Sequence, residues 1–152
     1  MRDMELLFDR MIAASPEVVW PLLTDPARMS EWSEAPIGSI SLGAGGRPDA
    51  AGAMRSVNAR AFGLSMLIEE AILEADRPRR FVYRVMRGAG IRDHEGVITL
   101  RPEDGGTRLV WRVRLRGVVW GWDKIVGTLV RRGLGRSLDA MARIAVAESR
   151  AA

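Results

Sequence analysis

The strongest constraint on the fold is a change of hydrophobic period at Gly117. Before it, Phe81, Tyr83 and Val85 alternate with Val82, Arg84 and Met86. His94, Gly96, Ile98 and Leu100 alternate with Glu95, Val97 and Thr99, and Leu109, Trp111, Val113 and Leu115 with Val110, Arg112, Arg114 and Arg116. Period two sends successive side chains to opposite faces, so these runs predict strands with one apolar, inward face. Asp104-Gly105-Gly106 between the last two predicts a hairpin. After Gly117, Val126, Val130, Leu134, Leu138, Met141 and Ala145 recur at helical spacing, while Arg131, Arg132, Arg136 and Arg143 fall mostly on other faces. A long amphipathic helix therefore ends the chain and covers the apolar face of the sheet. Gly127, Gly133 and Gly135 each cost about 1 kcal/mol relative to alanine inside a helix, which predicts a kink or a mobile first half.

The first half reads less cleanly. Met4, Leu6, Phe8 and Ile12 share one parity over Met4 to Ile12, with Arg10 as the polar exception, and predict a half-buried strand. Ser15-Pro16 then supplies an N-cap and a proline at the first helical position, so a helix is expected from Pro16 to Thr24, burying Val19, Trp20 and Leu23. Asp25-Pro26 ends it and begins a short helical piece carrying Met29 and finishing near Trp32. Strands are expected around Ser39 to Leu42 and from Ala53 to about Arg60, separated by the glycine-rich loop at 43–48, and Arg77-Pro78 marks a turn. Met66 to Glu74 is apolar at both parities, so its facing stays open. At 152 residues this makes a single domain over 1–152.

Composition narrows the chemistry. There is no cysteine, which removes thiol nucleophiles and cysteine-held metals, and His94 is the only histidine, which removes sites needing two imidazoles. Gly43-Ala44-Gly45-Gly46 has neither the third glycine of a dinucleotide fingerprint nor a Walker lysine. Asp93, Glu95, Glu103 and Asp104 lack a calcium-loop register and read as a solvated hairpin, so neither metal nor cofactor is expected. The net charge is +4, and Lys124 is the only lysine among 23 basic residues. The arginine excess inflates the isoelectric point of 10.8 and reads as solvated surface rather than a nucleic-acid footprint. Acids at Asp3 and Glu5 where a leader would be basic, and the lack of an apolar run long enough to cross a bilayer, predict a cytoplasmic protein with no integral membrane segment. The basic last helix leaves weak peripheral contact with a membrane open, and the oligomeric state is not readable.

Several phrases, in this order, resemble the START-like superfamily, also called SRPBCC or the polyketide cyclase/dehydrase and lipid-transport group. They are Ile12-Ala13-Ala14-Ser15-Pro16-Glu17-Val18-Val19-Trp20 followed by Leu23-Thr24-Asp25-Pro26; Trp32; Glu70 leading to Asp76-Arg77-Pro78-Arg79-Arg80-Phe81-Val82-Tyr83-Arg84; and Leu100 with Gly105-Gly106-Thr107-Arg108-Leu109. The resemblance spans essentially the whole chain. It implies an α+β helix-grip fold, a curled antiparallel sheet around the last helix with two short helices after the first strand, and between sheet and helix a cavity for a hydrophobic small molecule. It also implies alternatives: a cyclase, aromatase or dehydratase of polyketide-like substrates, or an interaction module of the toxin or co-chaperone type.

The candidate site follows from parity. His94 is placed inward, either to hydrogen-bond or protonate a ligand carbonyl or as a packed ring bonded to backbone or Asp93. Tyr83, Trp111, Phe81, Ile98 and Val113 share the inward face and Met141 the helix stripe, as cavity lining or as plain core. Arg10 and Glu70 would form a buried pair that orients a ligand if both point inward, and otherwise lie at strand ends in water. In the enzyme reading His94 is the acid or base, with Arg10 or Tyr83 orienting carbonyl oxygens.

Overall fold

The computed structural model describes residues 3–61 and 63–152; the first two residues, on which part of the leader reading rests, lie outside them. Strand β1 (Met4–Ile12) leads into α1 (Pro16–Thr24) and α2 (Pro26–Met29). The strands β2 (Ile37–Ser41), β3 (Met54–Ala61), β4 (Leu64–Asp76), β5 (Arg80–Arg87), β6 (Ile91–Glu103) and β7 (Gly106–Gly117) follow, and α3 (Trp122–Ala151) ends the chain. The seven strands form one antiparallel curled sheet in the order β1-β7-β6-β5-β4-β3-β2, so β1 pairs with the last strand and every other neighbour is a hairpin partner. No helix among the described residues is long and apolar enough to cross a membrane.

Each boundary has a local cause. Pro16 opens α1 where a missing N–H leaves nothing unsatisfied, and Asp25 ends it while its side chain accepts the Ala27 N–H at 3.0 Å to start α2. Asp104 and Gly105 both have positive φ (49° and 76°), the combination a two-residue hairpin turn requires. Buried Thr107 donates its hydroxyl to the Ala14 carbonyl at 2.7 Å, tying the start of β7 to the approach to α1.

Register irregularities decide which residues face inward. On β4, the pairing shifts between Glu69 and Glu70 and again between Ile72 and Glu74. The first shift leaves Met86 of β5 unopposed and the second Leu73 of β4, so only the second resets the facing of β4. Met66, Ile68, Glu70 and Ile72 keep one inward parity, masked in the sequence because outward Leu67 and Leu73 are also apolar. On β6 the shift between Arg92 and Glu95, with Asp93 at φ 53°, lets Ile91 and His94 both face inward although their numbers differ in parity.

The packed core contains Leu6, Trp20, Leu22, Phe81, Ile98, Leu109, Leu138 and Met141, all nearly inaccessible. Helix α3 runs unbroken from Trp122 to Ala151 through Gly127, Gly133 and Gly135. A Cβ at Gly127 would lie 1.9 Å from the Met4 sulfur, so this glycine admits β1 close to the helix.

Candidate functional site

The second half of α3 is sealed against the core by Leu138, Met141 and Ala145, whereas the first half touches β1 at Gly127 and elsewhere faces open space over the sheet. Between them lies a cavity of about 390 Å³, lined mainly by apolar side chains from β3 to β7 and by Val126, Leu129, Val130 and Leu134 of α3. Arg60, Leu129 and Glu34 border it and reach solvent, so it opens between the β3–β4 hairpin and the helix. Glu34 latches the segment before β2 to α3: its carboxylate accepts Arg136 Nε and Nη2 at 2.8 and 3.0 Å, and its backbone N–H donates to Ser137 Oγ at 3.3 Å.

Polar groups concentrate on one part of this lining. Arg55 and Glu70 are directly opposed on β3 and β4, and Arg55 Nε donates to Glu70 Oε2 at 2.6 Å. Their side chains are only 3% and 11% exposed, a burial that charged residues reach only when paired. The guanidinium carbon lies 5.1 Å from the Tyr83 ring centre and 5.5 Å from that of Phe81, and Nη1 donates to the Met29 sulfur at 3.2 Å. Nη2, with two N–H groups, has no hydrogen-bond partner among the described residues and is not fully buried, so it is accessible at the cavity that Arg55 lines.

Tyr83 and His94 sit beside this pair. Tyr83 opposes Gly96, where a Cβ would lie 2.2 Å from its ring, so the glycine provides the space the phenol occupies. Its hydroxyl accepts Trp111 Nε1 at 3.1 Å, and burial, with the Glu70 charge adding to it, pushes the phenol above its ordinary range. The β5–β6 ladder stops at the Tyr83–Gly96 pair, and beyond it His94 Nδ1 accepts the Val85 N–H at 3.1 Å. That bond leaves the ring proton on Nε2. Burial holds the His94 pKa below 6.5, with Glu70 pulling against it, so the ring is neutral and presents a donor rather than a base.

The structure thus brings Glu70, Tyr83, His94, Trp111 and Val113 onto the cavity. Phe81, Ile98 and Met141 are instead in the packed core, because the sheet and helix close tightly at that end. Arg10 is elsewhere: it lies on β1 at the edge, half-exposed, 3.6 Å from Asp139 of α3. Glu70 therefore pairs with Arg55, which the sequence reading left as an ordinary strand residue. One signal pointed to it: a hairpin reversing at Gly63 sets Arg55 against Glu70, a basic and an acidic residue face to face beside apolar Val57, Ala59, Met66 and Ile68.

A curled antiparallel sheet closed by a single long helix over an apolar cavity defines the helix-grip class of proteins. Residues 8–146 match the family model described as polyketide cyclase / dehydrase and lipid transport, and the chain belongs to that family, within the START-like superfamily. The fold is similar to that of TTHA0849 from Thermus thermophilus (22% identity, 96% of this chain and 99% of that one, TM-score 0.78). It is also similar to the Zhui aromatase/cyclase from Streptomyces (15%, 95% and 94%, TM-score 0.79) and to a START superfamily protein from Mycobacterium smegmatis (15%, 96% and 97%, TM-score 0.70). No curated protein matches the chain. Family and fold indicate a hydrophobic-ligand-binding or polyketide-cyclase-like role.

Proposed function

We propose that the protein binds a hydrophobic small molecule of lipid, polyketide or isoprenoid type that carries at least one accepting oxygen. The observation that supports this most is the cavity of about 390 Å³, within the range of small-molecule sites, whose apolar walls surround the buried Arg55–Glu70 pair and His94. Arg55 and His94 Nε2–H would donate to the ligand's oxygen, and the apolar walls would take its body. Native mass spectrometry of freshly purified protein, followed by denaturing release, tests the reading. A retained small molecule whose occupancy falls in Arg55→Met is the expected result. Protein at its bare mass that also fails to bind the apolar dye anilinonaphthalene sulfonate would sink it.

The clustering of Arg55, Glu70 and His94 favours a second reading, a cyclase, aromatase or dehydratase acting in the same cavity. There Arg55 and the His94 donor would stabilise an enolate oxygen and Glu70 would take the proton, since His94 Nδ1 is already engaged by Val85. Recovery of the released molecule chemically unchanged after incubation with the protein supports binding. Conversion that is lost in Glu70→Gln supports catalysis.

A further inference from the structure

The open end of the molecule is built differently from its flanks. The antiparallel order brings the ends of β3, β5 and β7 and the start of α3 to one end, where the cavity also opens. Large apolar side chains stand in water there: Trp120 is 83% exposed, Leu64 73% and Val119 65%, with Val118, Ile125, Leu129 and Leu67 also exposed. Val118 to Trp120 form the connection between β7 and α3, and Trp122 behind them is shared with the cavity lining. Indole and aliphatic groups grouped at a tip, rather than scattered singly, mark a contact surface.

Charge around that tip is equally uneven. Along the sheet's outer face the arginines are neutralised: Arg108 by Asp9, Arg112 by Glu5, Arg116 by Asp3 and Arg84 by Glu95. Among the described residues eight bases have no ion-pair partner; Arg77, Arg143 and Arg150 lie elsewhere, and the other five, Arg60, Arg92, Lys124, Arg131 and Arg132, lie at or near the open end. On α3, Ile125, Leu129 and Arg132 fall on one exposed face at spacings of four and three, with Lys124 and Arg131 on the adjoining one. Apolar groups therefore lead and bases follow one or two turns behind, with half-buried Asp123 the one acid in that stretch.

We infer that this end docks on the surface of an anionic lipid bilayer, with Trp120, Val119 and Leu64 entering the headgroup boundary and the five bases reaching lipid phosphates. A second copy of the chain fits less well, because a twofold contact would set the same unpaired bases against each other. Docking would place the cavity mouth against the membrane, but it needs no cavity ligand, so its failure leaves the ligand-binding reading untouched.

Flotation with phosphatidylcholine vesicles, with and without about 30% phosphatidylglycerol, tests the inference at low and high salt. The expected result is binding to the anionic vesicles alone, weakened by salt. Trp120→Ala should weaken it at least about tenfold. Lys124→Gln/Arg131→Gln/Arg132→Gln should weaken it about a hundredfold, each base contributing about fivefold. These positions are exposed, and unchanged circular dichroism checks that the variants fold; the lipid and salt dependence of the unaltered protein stands without them. Absence of binding, equal binding to neutral vesicles, or indifference to both variants overturns the proposal. A concentration-dependent dimer that Trp120→Ala abolishes, without vesicle binding, also overturns it and assigns the patch to a second copy.

Discussion

Arg55 and Glu70 are two charges held almost out of water, and the net worth of such a pair is small because desolvation opposes the attraction between them. Removing one partner is different, since it strands the other. Glu70→Leu alone should destabilise the protein by about 3–5 kcal/mol, whereas Arg55→Met/Glu70→Leu should return most of that loss. Urea denaturation of the three proteins measures it, and a double variant as unstable as the single one would show that the pair itself holds the fold. Tying up Glu70 has a further consequence for His94, whose pKa burial lowers while Glu70 raises it. A folded-state pKa below the unfolded value of about 6.5 means that the unfolded chain binds the proton first, so stability is full above pH 6.5 and falls as the solution is acidified. Between about pH 6.5 and 5, before surface carboxylates titrate, the slope due to this group should approach at most about 1.4 kcal/mol per pH unit. His94→Gln should flatten it in urea titrations across that window.

At the scale of elements, legibility followed regularity. Strand β1 and helix α1 have the bounds the sequence predicts, because an alternation broken only at Arg10 and a Ser-Pro start are local signals. In β4, exposed Leu67 and Leu73 put apolar residues on the outward face as well, and a bulge at Leu73 resets the facing, so period alone does not separate its two faces. Arg55 went unrecognised for a related reason: its importance lies in what it opposes across the hairpin, a relation that periodicity along one strand does not carry. Arg10 shows the converse, since inward parity on an edge strand ends at α3 and solvent rather than in a cavity. The glycines of α3 divide in the same way, one positioned by a neighbour and another free. A Cβ at Gly135 would meet nothing within 4 Å, so Gly135→Ala should stabilise the protein by about 0.5–1 kcal/mol through helix propensity alone. Gly127→Ala should gain less or lose, because Met4 must move aside, and comparison of the two denaturation midpoints separates propensity from packing.

For the whole molecule, one helix does two jobs along its length, closing a dense core with its second half and roofing a cavity with its first. That division makes the effect of added volume depend on position. Extra carbon atoms in a packed core force side chains off their rotamers and cost about 1–3 kcal/mol, but the same atoms placed in a cavity bury apolar surface without displacing anything. Gly133 lines the cavity from α3, and a Cβ there would meet only the Glu34 carboxylate at an ordinary 3.6 Å. Gly133→Leu should therefore leave the protein as stable or up to about 1 kcal/mol more stable, since it removes a helix glycine and fills empty space. In the same variant, binding of anilinonaphthalene sulfonate and the occupancy of any molecule carried through purification should fall, because the side chain occupies the ligand's volume. Ala145→Leu, in the sealed half of the helix, should do the opposite, lowering stability and leaving dye binding unchanged. Urea denaturation and dye titration on the two variants check the contrast. If Gly133→Leu proved as destabilising as Ala145→Leu, the first half of α3 would be packed against the sheet in solution and the cavity would be closed.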